Sequence, residues 1–138
     1  MKLFIQTLLL FSVTGILLFS CQSKKEKVSV IYNSDYQVLQ PTNSKINIGT
    51  HNNKDIVRIP FSFNIKNTTP ADVSIEKVDV SCNCIKIISH PTKVQGYRYF
   101  QLKGEIDISH QQGHISKCIF INYNSNKILL LRLVGDIN

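Results

Sequence analysis

The stretch Val57-Arg-Ile-Pro-Phe-Ser-Phe-Asn-Ile-Lys-Asn67 carries the clearest structural signal in this sequence of 138 residues. Apolar and polar side chains alternate along it, as they do in a β-strand with one buried face and one exposed face. The face predicted to be buried contains Val57, Ile59, Phe61, Phe63 and Ile65. Pro60 cannot donate a hydrogen bond to a sheet, so we expect this strand to lie at a sheet edge or to carry a bulge there.

The same period of two extends over most of the chain, and no segment shows the apolar stripe of a helix. Turn residues separate the alternating segments at the spacing typical of β-sandwiches. The predicted strands cover residues 28–32, 36–39, 45–48, 57–66, 73–84, 97–108, 115–123 and 127–137. The sequence therefore predicts an all-β fold, an antiparallel immunoglobulin-like β-sandwich of about eight strands, in a single domain over residues 28–138. A true immunoglobulin domain is disfavoured, because the chain has no Trp and its cysteines lie too close together.

Three local features refine this prediction. The apolar parity changes after Ile75, which indicates a bulge at Glu76 and Lys77. Gly104 is expected to mark a bend in a long strand. The last strand is apolar on both faces along residues 128–131, which favours a central position. Asn67-Thr68-Thr69 matches a glycosylation sequon, but we interpret it as part of a turn.

The N-terminus is typical of an export signal. Lys2 precedes an uncharged run over residues 3–19, which is shorter and more polar than a membrane-spanning helix of roughly 20 apolar residues. Leu18-Phe-Ser-Cys21 resembles the bacterial lipobox, in which the cysteine is acylated after cleavage. The resemblance implies a signal peptide over residues 1–20, a lipid-bearing Cys21 and a polar tether over residues 21–27.

The formal net charge is +7, but no run of like charge outside residues 21–27 indicates a groove for an anionic ligand. Nucleic acid is a common partner of basic domains, but we expect none here because the protein is predicted to be exported. Lys24, Lys25 and Lys27 lie next to the predicted anchor, where they can attract acidic lipid head groups. Gln22 is not the acidic residue that often retains lipoproteins in the inner membrane, so by resemblance we expect the outer membrane, on its periplasmic face.

Four segments also resemble the domain of unknown function 1573 family, over about residues 57–138. They are Phe61-Ser-Phe-Asn-Ile-Lys-Asn67, Val73-Ser-Ile-Glu-Lys-Val-Asp-Val-Ser-Cys-Asn-Cys84, Gly113-His-Ile-Ser-Lys117 and Leu133-Val-Gly135. The family usually has Gly and Thr where this chain has Asn83 and Ile85. The resemblance implies an immunoglobulin-like sandwich in the cell envelope, without an established activity.

Three cysteines remain once lipid has consumed the thiol of Cys21. An oxidising compartment favours a disulfide, and we favour a bridge from Cys82 or Cys84 to Cys118, which would close a loop of about 35 residues. A Cys82–Cys84 ring, which would be small and more easily reduced, and an all-thiol or metal-bound state remain open. His114 is a weak candidate for a fourth zinc ligand, since its spacing from Cys118 matches no standard pattern.

No hydrolase, phosphate-loop or calcium-binding motif is present in the sequence. We therefore predict a non-enzymatic, membrane-anchored lipoprotein without a cofactor, whose sandwich binds a protein or glycan of the envelope through a sheet edge or loops. The alternative is a thiol-redox or metal-handling module built on Cys82, Cys84 and Cys118.

Overall fold

The computed structural model describes residues 37–138, which lie within one compact unit and contain nine strands. The strands are β1 (Leu39–Pro41), β2 (Lys45–His51), β3 (Arg58–Asn67), β4 (Val73–Val80), β5 (Ile85–Ser89), β6 (Lys93–Val94), β7 (Tyr99–Asp107), β8 (Gly113–Tyr123) and β9 (Lys127–Ile137). In this part of the chain no helix is long and apolar enough to cross a membrane. The predicted signal peptide, Cys21, the tether and the strand at residues 28–32 lie outside the described residues.

The strands form two facing sheets. One has the order β1-β3-β7-β5 and the other the order β2-β9-β8-β4-β6. This arrangement confirms the predicted all-β sandwich, with nine strands in place of about eight. Neighbouring strands are antiparallel except for one pair. β2 runs parallel to β9, and Lys45 lies opposite Arg132. The chain moves from β1 in one sheet to β2 in the other across the polar residues 42–44.

The apolar faces of the two sheets form one core. Alternate residues of β3, β7, β8 and β9 point into it, as the period of two predicts. The largest fully buried side chains are Phe63, Leu39, Ile65, Leu102, Ile106, Ile108, Ile119, Ile121, Leu129, Leu131, Leu133 and Ile137. The prediction for Val57 was wrong, since this residue precedes β3 at the end of the sandwich and its side chain is 46% exposed.

Two predictions about strand irregularities are confirmed. Ile75 lies opposite Tyr123 and Lys77 opposite Asn122, so Glu76 is the extra residue of a bulge in β4. Pro60 lies opposite Glu105 of β7 and outside the part of β3 that β1 covers. Its missing N–H is therefore tolerated at a position where the strand has a partner on one side only.

β7 continues through Gly104 with an unbroken register against β3. Gly104 lies opposite Phe61, and a Cβ atom at this position would be 2.4 Å from the Cζ atom of that ring. The glycine therefore makes room for an aromatic ring on the neighbouring strand. The predicted central position of the last strand is confirmed, because β9 lies between β2 and β8.

Candidate functional site

A tight turn at residues 81–84 separates β4 from β5 and holds two of the cysteines. The N–H of Ile85 donates to the carbonyl of Cys82 (3.2 Å), and the N–H of Asp107 donates to the carbonyl of Cys84 (2.7 Å). The turn brings the Cα atoms of Cys82 and Cys84 to 5.2 Å, and their side chains form a disulfide. This separation is within the range usual for disulfides. Both side chains are half-buried and pack against the core.

The favoured bridge to Cys118 is therefore not formed, and Cys118 is a half-buried free thiol. The reason is that successive side chains of a strand point to opposite faces of the sheet. Cys118 is opposite Ser81, with which it exchanges two hydrogen bonds of 2.9 Å. Its neighbour Ile119 is buried in the core, so the side chain of Cys118 lies on the outer face of the sheet. The side chains of Cys82 and Cys84 instead pack against the core between the two sheets.

The observed bridge constrains the unfolded chain much less than the expected one would. The chain-entropy model gives about 1.6 kcal/mol for a loop of three residues and about 3.8 kcal/mol for a loop of about 35 residues. Because the turn already holds Cys82 and Cys84 close together, we expect their disulfide to stabilise the fold less than the bridge to Cys118 would have done.

Beside the disulfide is a small surface pocket that joins the cysteine turn to the end of β7. Its volume is about 270 Å³, slightly below the roughly 300–1,000 Å³ of typical small-molecule sites. The residues that line it are Asn83, Cys84, Asp107, Ser109, His110 and Gln111. No local sequence pattern indicates that His110 lies near Cys84, because this proximity depends on the register between β5 and β7, in which Ile85 lies opposite Ile106.

Asp107, the last residue of β7, supplies the carboxylate of this pocket. Hydrogen bonds from the Ser109 hydroxyl (2.6 Å) and backbone N–H (2.9 Å) hold the pKa of its carboxyl below the usual value. Arg58, whose Nε atom lies 3.9 Å from the carboxylate, contributes in the same direction. The carboxylate of Asp107 is therefore already bound by Ser109 and Arg58.

The structure does not bring His114 and the three cysteines together. The Nδ1 atom of His114 lies 3.0 Å from Oδ1 of Asp136, its partner across β8 and β9. The side chains of this pair are exposed. Among residues 37–138, no group of three or more His, Cys, Asp or Glu side chains could hold a metal ion.

A second candidate site is the outer edge of β5. This strand, which the sequence analysis missed, pairs with β7 alone. Because Cys84 and Asp107 form a hydrogen-bonded pair, the alternation of an antiparallel ladder points the N–H and C=O of Ile87 to the open side. Ile88 is an extra residue in the register, and its side chain is 59% exposed.

Two facing sheets, a core between them and a chain that passes from one sheet to the other define the protein as an immunoglobulin-like β-sandwich. Residues 39–137 match the model of a family described as protein of unknown function (DUF1573). The chain belongs to this family, as its cysteine turn and the strands around it predicted. No curated relative matches the sequence.

Solved structures with a similar fold share little sequence with this chain. A protein of unknown function from Porphyromonas gingivalis W83 has a TM-score of 0.61 at 12% identity, over 72% of this chain and 46% of that one. The human CEP192 ASH/PapD-like domain 7 has a TM-score of 0.57 at 9% identity, over 73% and 85% of the two chains. The periplasmic chaperone SfaE has a TM-score of 0.53 at 7% identity, over 72% and 57%. This chain thus spans less than half the length of the first of these structures.

Proposed function

We propose that this protein is a lipoprotein of the cell envelope, anchored through Cys21, whose sandwich binds a segment of another envelope protein without catalysing a reaction. The outer edge of β5 is the binding site. The partner segment adds to the four-stranded sheet as an extra strand, as in other complexes formed by strand addition.

The observation that carries this proposal is the chemistry of the open edge. Natural proteins protect edge strands with proline, with charge or by keeping them very short. On the opposite side of this sheet, β1 has three residues and ends at Pro41. The edge of β5 carries the exposed Lys86 and a bulge at Ile88, but it is longer and has no proline, and it offers the backbone groups of Ile87 and the exposed Ile88. Main-chain groups would give affinity, and the apolar side chain would give selectivity.

The envelope location rests on the lipobox-like residues at 18–21 and on the family resemblance. Lys24, Lys25 and Lys27 support an anchor close to acidic lipid, because each lysine near such a surface adds on the order of 1 kcal/mol of attraction. Similarity to a periplasmic chaperone is compatible with a polypeptide partner, although this similarity is one of fold.

Photo-crosslinking in cells tests the binding edge. A photoreactive residue at Ser89, next to Ile88, is expected to form a discrete adduct with one protein. Ile88→Lys places a charge on the edge and is expected to reduce that adduct about tenfold. The matched control is Ile128→Lys, since the Ile128 side chain on β9 is 57% exposed. An equal loss of adduct in both variants, or adducts of glycan alone, would contradict binding through β5.

A further inference from the structure

We infer that the Cys82–Cys84 disulfide is a thiol-exchange site, which accepts two electrons from a dithiol on a protein or small molecule. This inference goes beyond the proposed binding function and does not depend on it. It uses the cysteine turn and its pocket, whereas binding uses the backbone edge of β5.

The exchange proceeds in two balanced steps. In the first, a thiolate of the donor attacks the sulfur of Cys84, a donor–Cys84 disulfide forms, the Cys82–Cys84 bond breaks and Cys82 leaves as a thiolate. In the second, the other thiolate of the donor attacks its own sulfur in the mixed disulfide and releases Cys84. The donor leaves as a disulfide, and its two thiol protons end on Cys82 and Cys84.

The first argument is that the bridge is poorly suited to a structural role. It joins residues only two positions apart in sequence, within a turn that backbone hydrogen bonds already hold. The backbone hydrogen bonds of the turn and the pairing of β5 with β7 do not include this bond, so we expect both to persist when it opens. A bridge of this kind can therefore cycle between its two states while the protein stays folded.

The second argument is access. Both cysteines are half-buried, and Cys84 lines an open pocket with Asn83 and His110. The ring N–H of His110 can donate a hydrogen bond to an incoming thiolate and to the thiolate left on Cys84. Asp107, the acidic group of the pocket, is already engaged by Ser109 and Arg58.

The test uses the full-length protein, purified in detergent without reductant. Aliquots are incubated with dithiothreitol, alkylated and weighed by mass spectrometry, while circular dichroism follows the fold. We expect the number of alkylated thiols to rise by two while the protein remains folded, and to fall by two again in oxidised glutathione. Cys118→Ser is the matched control, because it removes the free thiol and should leave the gain of two unchanged.

The role of the pocket is tested by a pair of histidine variants. His110→Gln is expected to slow the initial rate of reduction several-fold, whereas His114→Gln, an exposed histidine on β8, should leave it unchanged. Equal rates in the two variants would contradict the role of His110. The inference is overturned if Cys82 and Cys84 are alkylated before any reductant is added, or if their disulfide is reduced only when the protein unfolds.

Discussion

At the scale of single residues, Asn67 stands out as the buried polar side chain of the described core, with no exposed surface. Its Nδ2 group donates to the carbonyls of Ala71 (2.8 Å) and Gln95 (3.1 Å). Its Oδ1 atom accepts from the N–H and hydroxyl of Thr69, at 3.0 and 2.9 Å. The side chain therefore ties the turn after β3 to the turn after β6. Because the Asn67 amide is buried and hydrogen-bonded through both its nitrogen and its oxygen, we interpret Asn67-Thr68-Thr69 as part of a turn that stabilises the fold.

Asn67→Ala is expected to lower the free energy of unfolding by about 2–4 kcal/mol, because it leaves several buried partners unsatisfied. Urea denaturation followed by circular dichroism measures this change. Asn64→Ala is the control from the same strand, since Asn64 is exposed and accepts one hydrogen bond from Gln101. Its cost should stay below about 0.5 kcal/mol, and an equal effect of the two changes would contradict a special role for Asn67.

At the scale of strands, the contact between Gly104 of β7 and Phe61 of the neighbouring strand β3 can be tested in the same way. A Cβ atom at Gly104 would lie 2.4 Å from Phe61 on β3 and 2.7 Å from the carbonyl oxygen of Lys86 on β5. Gly104→Ala therefore forces the Phe61 ring and the backbone of β5 to shift and is expected to cost about 1–3 kcal/mol in thermal or urea unfolding.

The control for this change separates crowding from backbone conformation. Gly113 has a φ of +72°, and a Cβ atom there would meet nothing within 4 Å. Gly113→Ala should therefore cost about 1–2 kcal/mol from the left-handed backbone alone. Adding Phe61→Leu should recover part of the loss in the Gly104 variant and none in the Gly113 variant. Failure of that recovery would show that the ring does not cause the strain.

The strands that could be predicted are those whose own alternation decides their buried face. Residues 58–67 and the last two long strands follow this rule, and the change of parity after Ile75 located the bulge in β4. β5 could not be predicted in this way. Val78, Val80, Cys82 and Cys84 share one parity, so the alternation runs on through the turn that ends β4. The candidate site was missed for the same reason, since its residues meet only through the pairing of β5 with β7.

At the scale of the whole molecule, the lipid anchor gives a prediction that is independent of the fold. Cells fed a palmitate analogue are expected to label the protein, and Cys21→Ala should abolish the label and release the protein from membranes. Cys118→Ala should retain both, because this cysteine lies within β8. Labelling that persists without Cys21 would place the lipid elsewhere or contradict the lipobox interpretation.

The general class of the molecule could be predicted from the sequence because it depends on the number and spacing of alternating segments. The pairing of β2 with β9 could not, since these strands lie at the two ends of the described chain. Neither strand carries a local signal for its partner. The alternation of Ile46 and Ile48 indicates which face of β2 contacts the core. It does not indicate which strand lies beside β2 in the sheet.

The parallel β2–β9 pair also makes the second sheet depend on contacts between distant parts of the chain. Lys45 of β2 lies opposite Arg132 of β9, near the other end of the described residues. Contacts between such distant residues form slowly. We therefore expect β2 to join the sheet late in folding, after the hairpin of β8 and β9, which a short turn connects.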